Sequence, residues 1–375
     1  SGVVFADALI EGCSISNVTG AGITVNKWDL ENTFFHEDIV IRNNTIADCG
    51  GSGIQVGKLS GDSVIADNTV SDTGGVWLWG SRDVVVERNL FEGARGVTDS
   101  TGVWIDIGNT GCIIQYNLSR DNEGGFVEIL GNSSNNVYRY NISINDGERV
   151  QGVNGALQEG RMFWFSGYTG MGNPPVGPVN NYVYNNTIYT KADIVAKFQA
   201  EDTADGALIA NNVIYIEGST SDLTPGSTAL DMLFDSNVVY DNKVPGAPFT
   251  VTDTIVADPL FANIGGLTAE DYIPSNTVAI LDKGIAVTNL PGDTIGLPGG
   301  FEVLEDYFGN PILAQPDMGA IEISEASLLV GWHTWDVDSF SITNEAPDEV
   351  LPGLAATMGA NVAGGGGFNT LGALD

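Results

Sequence analysis

The chain has 375 residues, 48 of them acidic and 14 basic, for a formal net charge of −34. That balance excludes nucleic acid as a partner, because phosphate recognition needs a basic footprint; it also disfavours a strongly anionic polymer unless bound cations or a local basic patch intervene. Glycine is abundant at 49 and charged residues are scarce at 17%, a mix that suits many short strands joined by tight turns.

The first residues already read as a strand-like repeat, with no initiator Met and no signal segment. The expectation is a fragment of a bacterial precursor that is secreted, periplasmic or on the cell surface. No apolar run is long enough to span a bilayer. Cys13, Cys49 and Cys112 are odd in number and lack metal-ligand spacing, so they imply neither a disulfide framework nor a zinc site. Cys13 falls where later repeats carry Asn and is expected to be a small core residue.

From residue 40 onward one phrase recurs: an aliphatic run, one or two polar residues, Asn, then another strand. It reads VIRNNTI at Asn44, VIADNTV at Asn68, VVERNLF at Asn89 and IIQYNLS at Asn117. It returns as VYRYNIS at Asn141, YVYNNTI at Asn186, LIANNVI at Asn212 and LFDSNVV at Asn237. The intervals are 24, 21, 28, 24, 45, 26 and 25 residues, each one turn of a solenoid, and the 45 hides a second rung or a long inserted loop. Parallel strands in successive rungs lie about 4.8 Å apart, so like side chains form ladders. Asn both donates and accepts, and can satisfy a buried turn in both directions along the stack. The parallel-crossover rule then sets the hand. The predicted fold is an all-β, right-handed parallel β-helix with a C-terminal cap. Rungs cover 1–254, terminal rungs and cap 255–323, and an extra strand with a Gly/Ala-rich tail 324–375, which reads as the start of a truncated second domain. The N-x-S/T triplets are by-products of the repeat.

Each rung carries a second strand introduced by glycine: GIQVG (53–57), GVWLW (75–79), GVWID (102–106), GFVEI (125–129) and a weaker candidate, ERVQG (148–152). Alternation points Val76, Leu78, Val103, Ile105, Val127 and Ile129 inward. One outward column is then Gln55, Trp77, Trp104, Phe126 and Arg149; its neighbour is Gly57, Trp79, Asp106, Glu128 and Gln151. Aromatics in an exposed column mark a ligand site, and flat rings suit sugars. At this register Asp106 and Glu128 lie abreast, about 4.8 Å apart at the backbone. Two such carboxylates cannot both ionise freely, which creates a resident acid. Carboxyl groups about 5–5.5 Å apart belong to retaining glycosidases. An acidic pair that is merely solvated or binds calcium is the plainer alternative. The loop 93–101 brings Arg95, Asp99 and Ser100 near the pair, and the long interval after Asn141 offers Glu159, Arg161, Trp164 and Tyr168. Asp99, Arg149 and Trp164 join Trp77, Trp79, Trp104 and Phe126 as expected substrate contacts. His36 and Lys27 sit in an insertion that overhangs the same face. The run GGSGIQVGK (50–58) lacks phosphate-loop spacing and reads as turn and strand.

The segment GVWIDIGNTGCIIQYNLSRDNEGGFVEI (102–129) resembles the catalytic segment of the β-helical β-xylosidases of glycoside hydrolase family 120. The resemblance covers roughly residues 75–145. It implies Asp106 as nucleophile and Glu128 as acid/base, acting on a xyloside-like substrate without a required cofactor.

Three functions thus stand at the level of sequence. The leading one is a glycoside hydrolase acting on a neutral oligo- or polysaccharide by a retaining two-carboxylate mechanism. A polysaccharide lyase would use Lys27, Arg149 or Arg161 as base, with Ca2+ possible. A non-catalytic carbohydrate-binding solenoid would use only the aromatics.

Overall fold

The computed structural model describes residues 4–26, 34–312 and 315–323. Most of the 26–36 insertion, with Lys27, and the strand and tail expected over 324–375 lie outside these residues.

Among the described residues three sheets, of eleven, ten and eight strands, run the length of the solenoid, and every strand pairing in them is parallel. The first begins with Ala6–Glu11 and ends with Thr250–Thr252; the second runs from Ser14–Ser16 to Ile255–Val256; the third from Ile23–Val25 to Thr220–Asp222. This is the predicted right-handed parallel β-helix. The interior is built from ladders in register. Ile41, Ile65, Val86, Ile114, Tyr138, Val183, Ile209 and Phe234 stack one on the next along the first sheet, all buried.

The Asn ladder turns the chain from the first sheet into the second. From Asn44 to Asn237 each Nδ2 donates to the Oδ1 of the next member at 2.9–3.0 Å, and the backbone N–H of each donates to that same oxygen. The residue before each, such as Asp67, Arg88, Tyr116 and Tyr140, is left-handed, with φ between 50° and 56°. Left-handed backbone costs a non-glycine residue about 1–2 kcal/mol, and the ladder bonds hold these corners closed. Asn141 donates directly to Asn186, so the 45-residue interval is one rung with inserted loops, not two rungs. Cys13 does occupy the ladder register, donating its N–H to Asn44 Oδ1 at 2.9 Å, but it is exposed, because the first rung has no neighbour beneath it among the described residues.

The segment after the last rung packs along the flank. Phe261 and Tyr272 pack on Tyr189 and Tyr215 outside the second sheet. Residues further on cross the first sheet, where Asp293 accepts from Asn135 at 2.9 Å and from the Tyr182 hydroxyl, and the Glu305 carbonyl accepts from Tyr116 at 3.0 Å.

A second, shorter polar ladder ends in an acid. Asn122 donates from both nitrogens to Asp146 Oδ1 at 3.0 Å, and Ser143 donates to Oδ2 at 2.8 Å. Burial pushes the Asp146 carboxyl up from 3.8 to about 7. The folded chain therefore holds a proton that the unfolded chain releases. Its contribution to stability is full below about pH 4 and is lost as pH rises through about 7. Asp146→Asn keeps the shape without the charge and should raise the melting temperature at pH 8 more than at pH 5. Thermal melts with the same pH dependence in both proteins would refute this.

Candidate active site

The third sheet presents two faces. Val76, Leu78, Val103, Ile105, Val127, Ile129, Phe163 and Phe165 fill the interior. On the opposite face one column, read up the stack, is Gln55, Trp77, Trp104, Glu128, Trp164 and Gln199. Glu128 thus stands over Trp104, because Ile105 pairs with Ile129 and Thr101 with Gly125. Asp106 belongs to the neighbouring column, over Trp79 and level with Leu130.

The expected register is therefore wrong by two residues, and the two acids lie on a diagonal. With strands about 4.8 Å apart and about 3.3 Å per residue, their backbones are separated by roughly 8 Å. Aligning the strands on their glycines caused the slip: the expected columns set Gly124 against Gly102, whereas Thr101 pairs with Gly125 and Gly102 is level with Phe126.

Both acids are withdrawn from water, Asp106 at 8% and Glu128 at 2% exposure. Asp106 is fixed through its backbone: its N–H donates to Leu78 O at 2.9 Å, and its own carbonyl accepts from Asn109 Nδ2 and Ser133 Oγ, each at 2.7 Å. Its Oδ2 accepts from Trp77 Nε1 at 2.7 Å, while Oδ1 is buried without a partner. Burial raises this carboxyl to about 6, against the opposing pull of the Trp77 hydrogen bond. Glu128 Oε1 is likewise buried and unpartnered. Burial holds the Glu128 carboxyl well above the usual carboxylate range; Asp99 and Asp106 push the same way, and Arg161 and Arg149 push against it. Asp99 is itself raised by burial. Two dry carboxyls thus face the half-buried third, Asp99.

Trp77 and Trp104 stack at 6.2 Å with their planes 18° apart, beside Asp106. Trp77 is half-buried, whereas the Trp104 ring lies against Gly74 and the Trp79 ring against Gly57, 3.0 and 3.3 Å from where a Cβ would stand. The aromatic wall is therefore outside the tube, with Trp77 its accessible member.

Other expectations are corrected. Phe126 is not on the outer column; it packs in the core, edge-on to Tyr138 at 5.9 Å. ERVQG is not a strand, since the insertion after Asn141 precedes the strand Arg161–Phe165 and Trp164 takes the place expected for Arg149. Arg149 is a clamp, donating to the carbonyls of Asp99 at 2.9 Å and Gln158 at 3.0 Å, and so joins the two inserted loops. The Trp164 ring is covered by the Arg161 guanidinium at 3.9 Å. Arg95 pairs with Glu123 and Glu148, and Tyr168 is 48% exposed. The sequence reading passed over Lys197, Gln199 and Glu201. Lys197 is buried, pairs with Glu159 at 3.3 Å and donates to Arg149 O at 2.9 Å; burial lowers its pKa. The run KFQAE carries inward Phe198 and outward Gln199 in the alternation used for the earlier rungs.

Among the described residues no group of three or more His, Cys, Asp or Glu is arranged to hold a metal ion, and no helix is long and apolar enough to cross a membrane.

Residues 4–156 match the family model described as right handed beta helix region. A lacto-N-biosidase of Bifidobacterium longum subsp. longum is 25% identical over 281 residues, which cover 68% of this chain and 16% of that protein. The chain thus spans about a sixth of the curated relative's length. Among solved structures, pectate lyase Pel9A is 12% identical with a TM-score of 0.46, covering 85% of this chain and 88% of that one. The complex of XylC with xylose is 14% identical with a TM-score of 0.38, covering 76% and 50%.

Proposed function

We propose that this chain is a carbohydrate-acting enzyme that hydrolyses a neutral glycoside, xyloside-like in size, with Asp106 and Glu128 as its two carboxylates. The observation that carries the reading is a pair of buried acids, each with an unpartnered oxygen, beside stacked Trp77 and Trp104. A sugar ring laid against Trp77 meets an apolar face on one side and carboxyl oxygens on the other. The name of the bifidobacterial relative, a glycosidase, supports the same reaction class.

The environments divide the roles. Glu128, whose carboxyl burial holds well above the usual carboxylate range, suits the acid that protonates the leaving oxygen. Asp106, raised only to about 6 and held by Trp77, is mostly ionised at pH 7 and suits the nucleophile. The diagonal register makes retention depend on the longer Glu128 side chain closing the roughly 8 Å backbone gap toward the 5–5.5 Å of retaining enzymes. We propose retention, because the site is dry and the two carboxyls feel each other's charge. NMR of the first-formed sugar tests it: the substrate's own anomer is expected. The opposite anomer would replace the nucleophile with an activated water.

The same roles set the pH response. Turnover on an aryl xyloside should fall below about pH 6 as Asp106 gains its proton. It should fall again at higher pH as Glu128, raised by burial, loses its own. A profile flat through pH 6 would remove Asp106 from the role of ionised nucleophile.

A lyase is the second reading, favoured by the buried cations beside Glu128. Burial lowers the pKa of Lys197, and of Arg161 and Arg149, which is what a base for proton abstraction needs. Its product would be an unsaturated sugar absorbing in the ultraviolet, and the reaction would fail in Lys197→Ala or Arg161→Ala.

A further inference from the structure

We propose that the hollow formed by Glu201, Asp202, Thr203, Thr224, Gly226 and Ser227 is a binding subsite for an uncharged sugar residue of the same chain that reaches Asp106 and Glu128. The inference rests on the reading of that pair as the site of cleavage.

Position is the first argument. Glu201 lies on the outer face of the third sheet, in the column that contains Asp106, Leu130 and Ser166. It stands two rungs beyond Glu128, about 10 Å along the solenoid axis at the spacing of parallel strands. A ligand lying along the axis passes from Trp77 and the acids over Trp164 to this hollow. The cavity measures about 450 Å³, within the range of small-ligand sites.

Chemistry is the second. Glu201 is fixed by three donors: Ser166 Oγ at 2.8 Å, Gln199 Nε2 at 3.0 Å and Trp164 Nε1 at 3.3 Å. Trp164 and Ser166 belong to the rung above Glu128, so the hollow is tied to the rungs of the acid pair. The hydroxyl protons of Thr203 and Thr224 are already given to the carbonyls of Gly177 and Ala200, each at 2.8 Å. The wall is therefore rich in acceptors, and neither Lys nor Arg lines it. A ligand rich in donors fits such a wall, and sugar hydroxyls are that. A uronate would set its carboxylate against Glu201 and Asp202, so the occupant is neutral.

Filling the hollow tests this. A Cβ built on Gly226 meets no atom within 4 Å, so Gly226→Trp places an indole in the space, with Gly226→Ala as control and Ser227→Tyr as a second blocking variant. Neutral xylo-oligosaccharides and N-acetylated lacto-series oligosaccharides of two to five residues would be titrated by calorimetry into the full chain carrying Glu128→Gln. Affinity for one series should rise at least tenfold from disaccharide to tetrasaccharide. Both blocking variants should abolish that gain, leave disaccharide affinity within twofold, and melt as the parent does. A gain that survives both variants, an absent gain, no binding by either series, or equal binding of tetragalacturonate would each overturn the subsite. Aryl-glycoside turnover by the unsubstituted protein is read separately. Length-dependent binding without turnover keeps the subsite and removes the hydrolase; turnover without length dependence does the reverse.

Discussion

Asp106→Ala should abolish turnover of every glycoside, by a factor on the order of 10⁴ or more, the scale on which loss of a member of a catalytic unit is felt. The covalent intermediate of a retaining enzyme needs a carboxylate oxygen at the anomeric carbon, and Oδ1 is the buried oxygen that lacks a partner. The substitution is structurally mild: the bonds that fix this residue, to Leu78, Asn109 and Ser133, run through its backbone and survive in alanine. The Trp77 and Ile107 N–H groups lose the carboxyl as acceptor. Folding should therefore be retained while activity disappears, and a far-ultraviolet spectrum with a melt separates the two.

Glu128→Gln should fail differently. A general acid contributes roughly 10²–10⁴-fold, and only when the leaving group needs a proton. Dinitrophenyl glycosides should keep much of their first step, and azide should then speed release by entering where the deprotonated acid would have activated water. Loss of activity on all leaving groups alike would reassign Glu128. Full activity in Asp106→Ala would end the two-carboxylate mechanism, and activity lost only in Lys197→Ala or Arg161→Ala, with an ultraviolet-absorbing product, would establish the lyase.

The solenoid was legible in the sequence because its determinant is periodic. Each ladder Asn follows a left-handed corner and precedes a strand, so the Asn-centred phrase marks the same atoms in every rung. The acids were legible as individuals, since Asp106 and Glu128 break an otherwise apolar or aromatic alternation. Their mutual placement was not, because glycine served as the ruler. The better ruler lay in the same residues: Asn117 and Asn141 are 24 apart, and so are the paired Ile105 and Ile129. Counting back from the ladder would have set Glu128 over Trp104. Phe126 was misplaced by the same slip. Trp164 and Arg149 exchanged places for another reason: nothing in the sequence says on which side of a strand an insertion falls. The cationic neighbourhood of Glu128 comes from Arg161 in the next rung and Arg149 in the inserted loop, and proximity of that kind is visible only once the rungs are stacked.

Asn117→Ala should be among the most destabilising single changes in the chain. Asn117 Nδ2 donates to Val86 O and Gln115 O at 2.9 Å and to Asn141 Oδ1 at 3.0 Å, while its Oδ1 accepts both nitrogens of Asn89 at 2.9–3.0 Å. Alanine leaves those groups in a corner whose Asn is 2% exposed. A buried polar group without a partner costs about 1–3 kcal/mol. Even with partial relaxation the sum is on the order of 4 kcal/mol, a large share of the 5–15 kcal/mol typical of folded proteins. Because each rung of a solenoid is stabilised by its neighbours, the loss in mid-stack weakens both sides of the break. Asn44, with only the exposed Cys13 rung below it among the described residues, should cost less when changed to Ala. Asn117→Asp should not rescue the site, although the chain itself carries Asp146 in its second ladder. Asp146 is met by hydroxyls and amides that donate to it, whereas two of the three groups Asn117 Nδ2 serves are backbone carbonyls, which a carboxylate repels. Urea unfolding of the three variants tests the ordering, and a loss in Asn117→Ala below about 1 kcal/mol would show that the ladder is a consequence of the fold and not a cause of it.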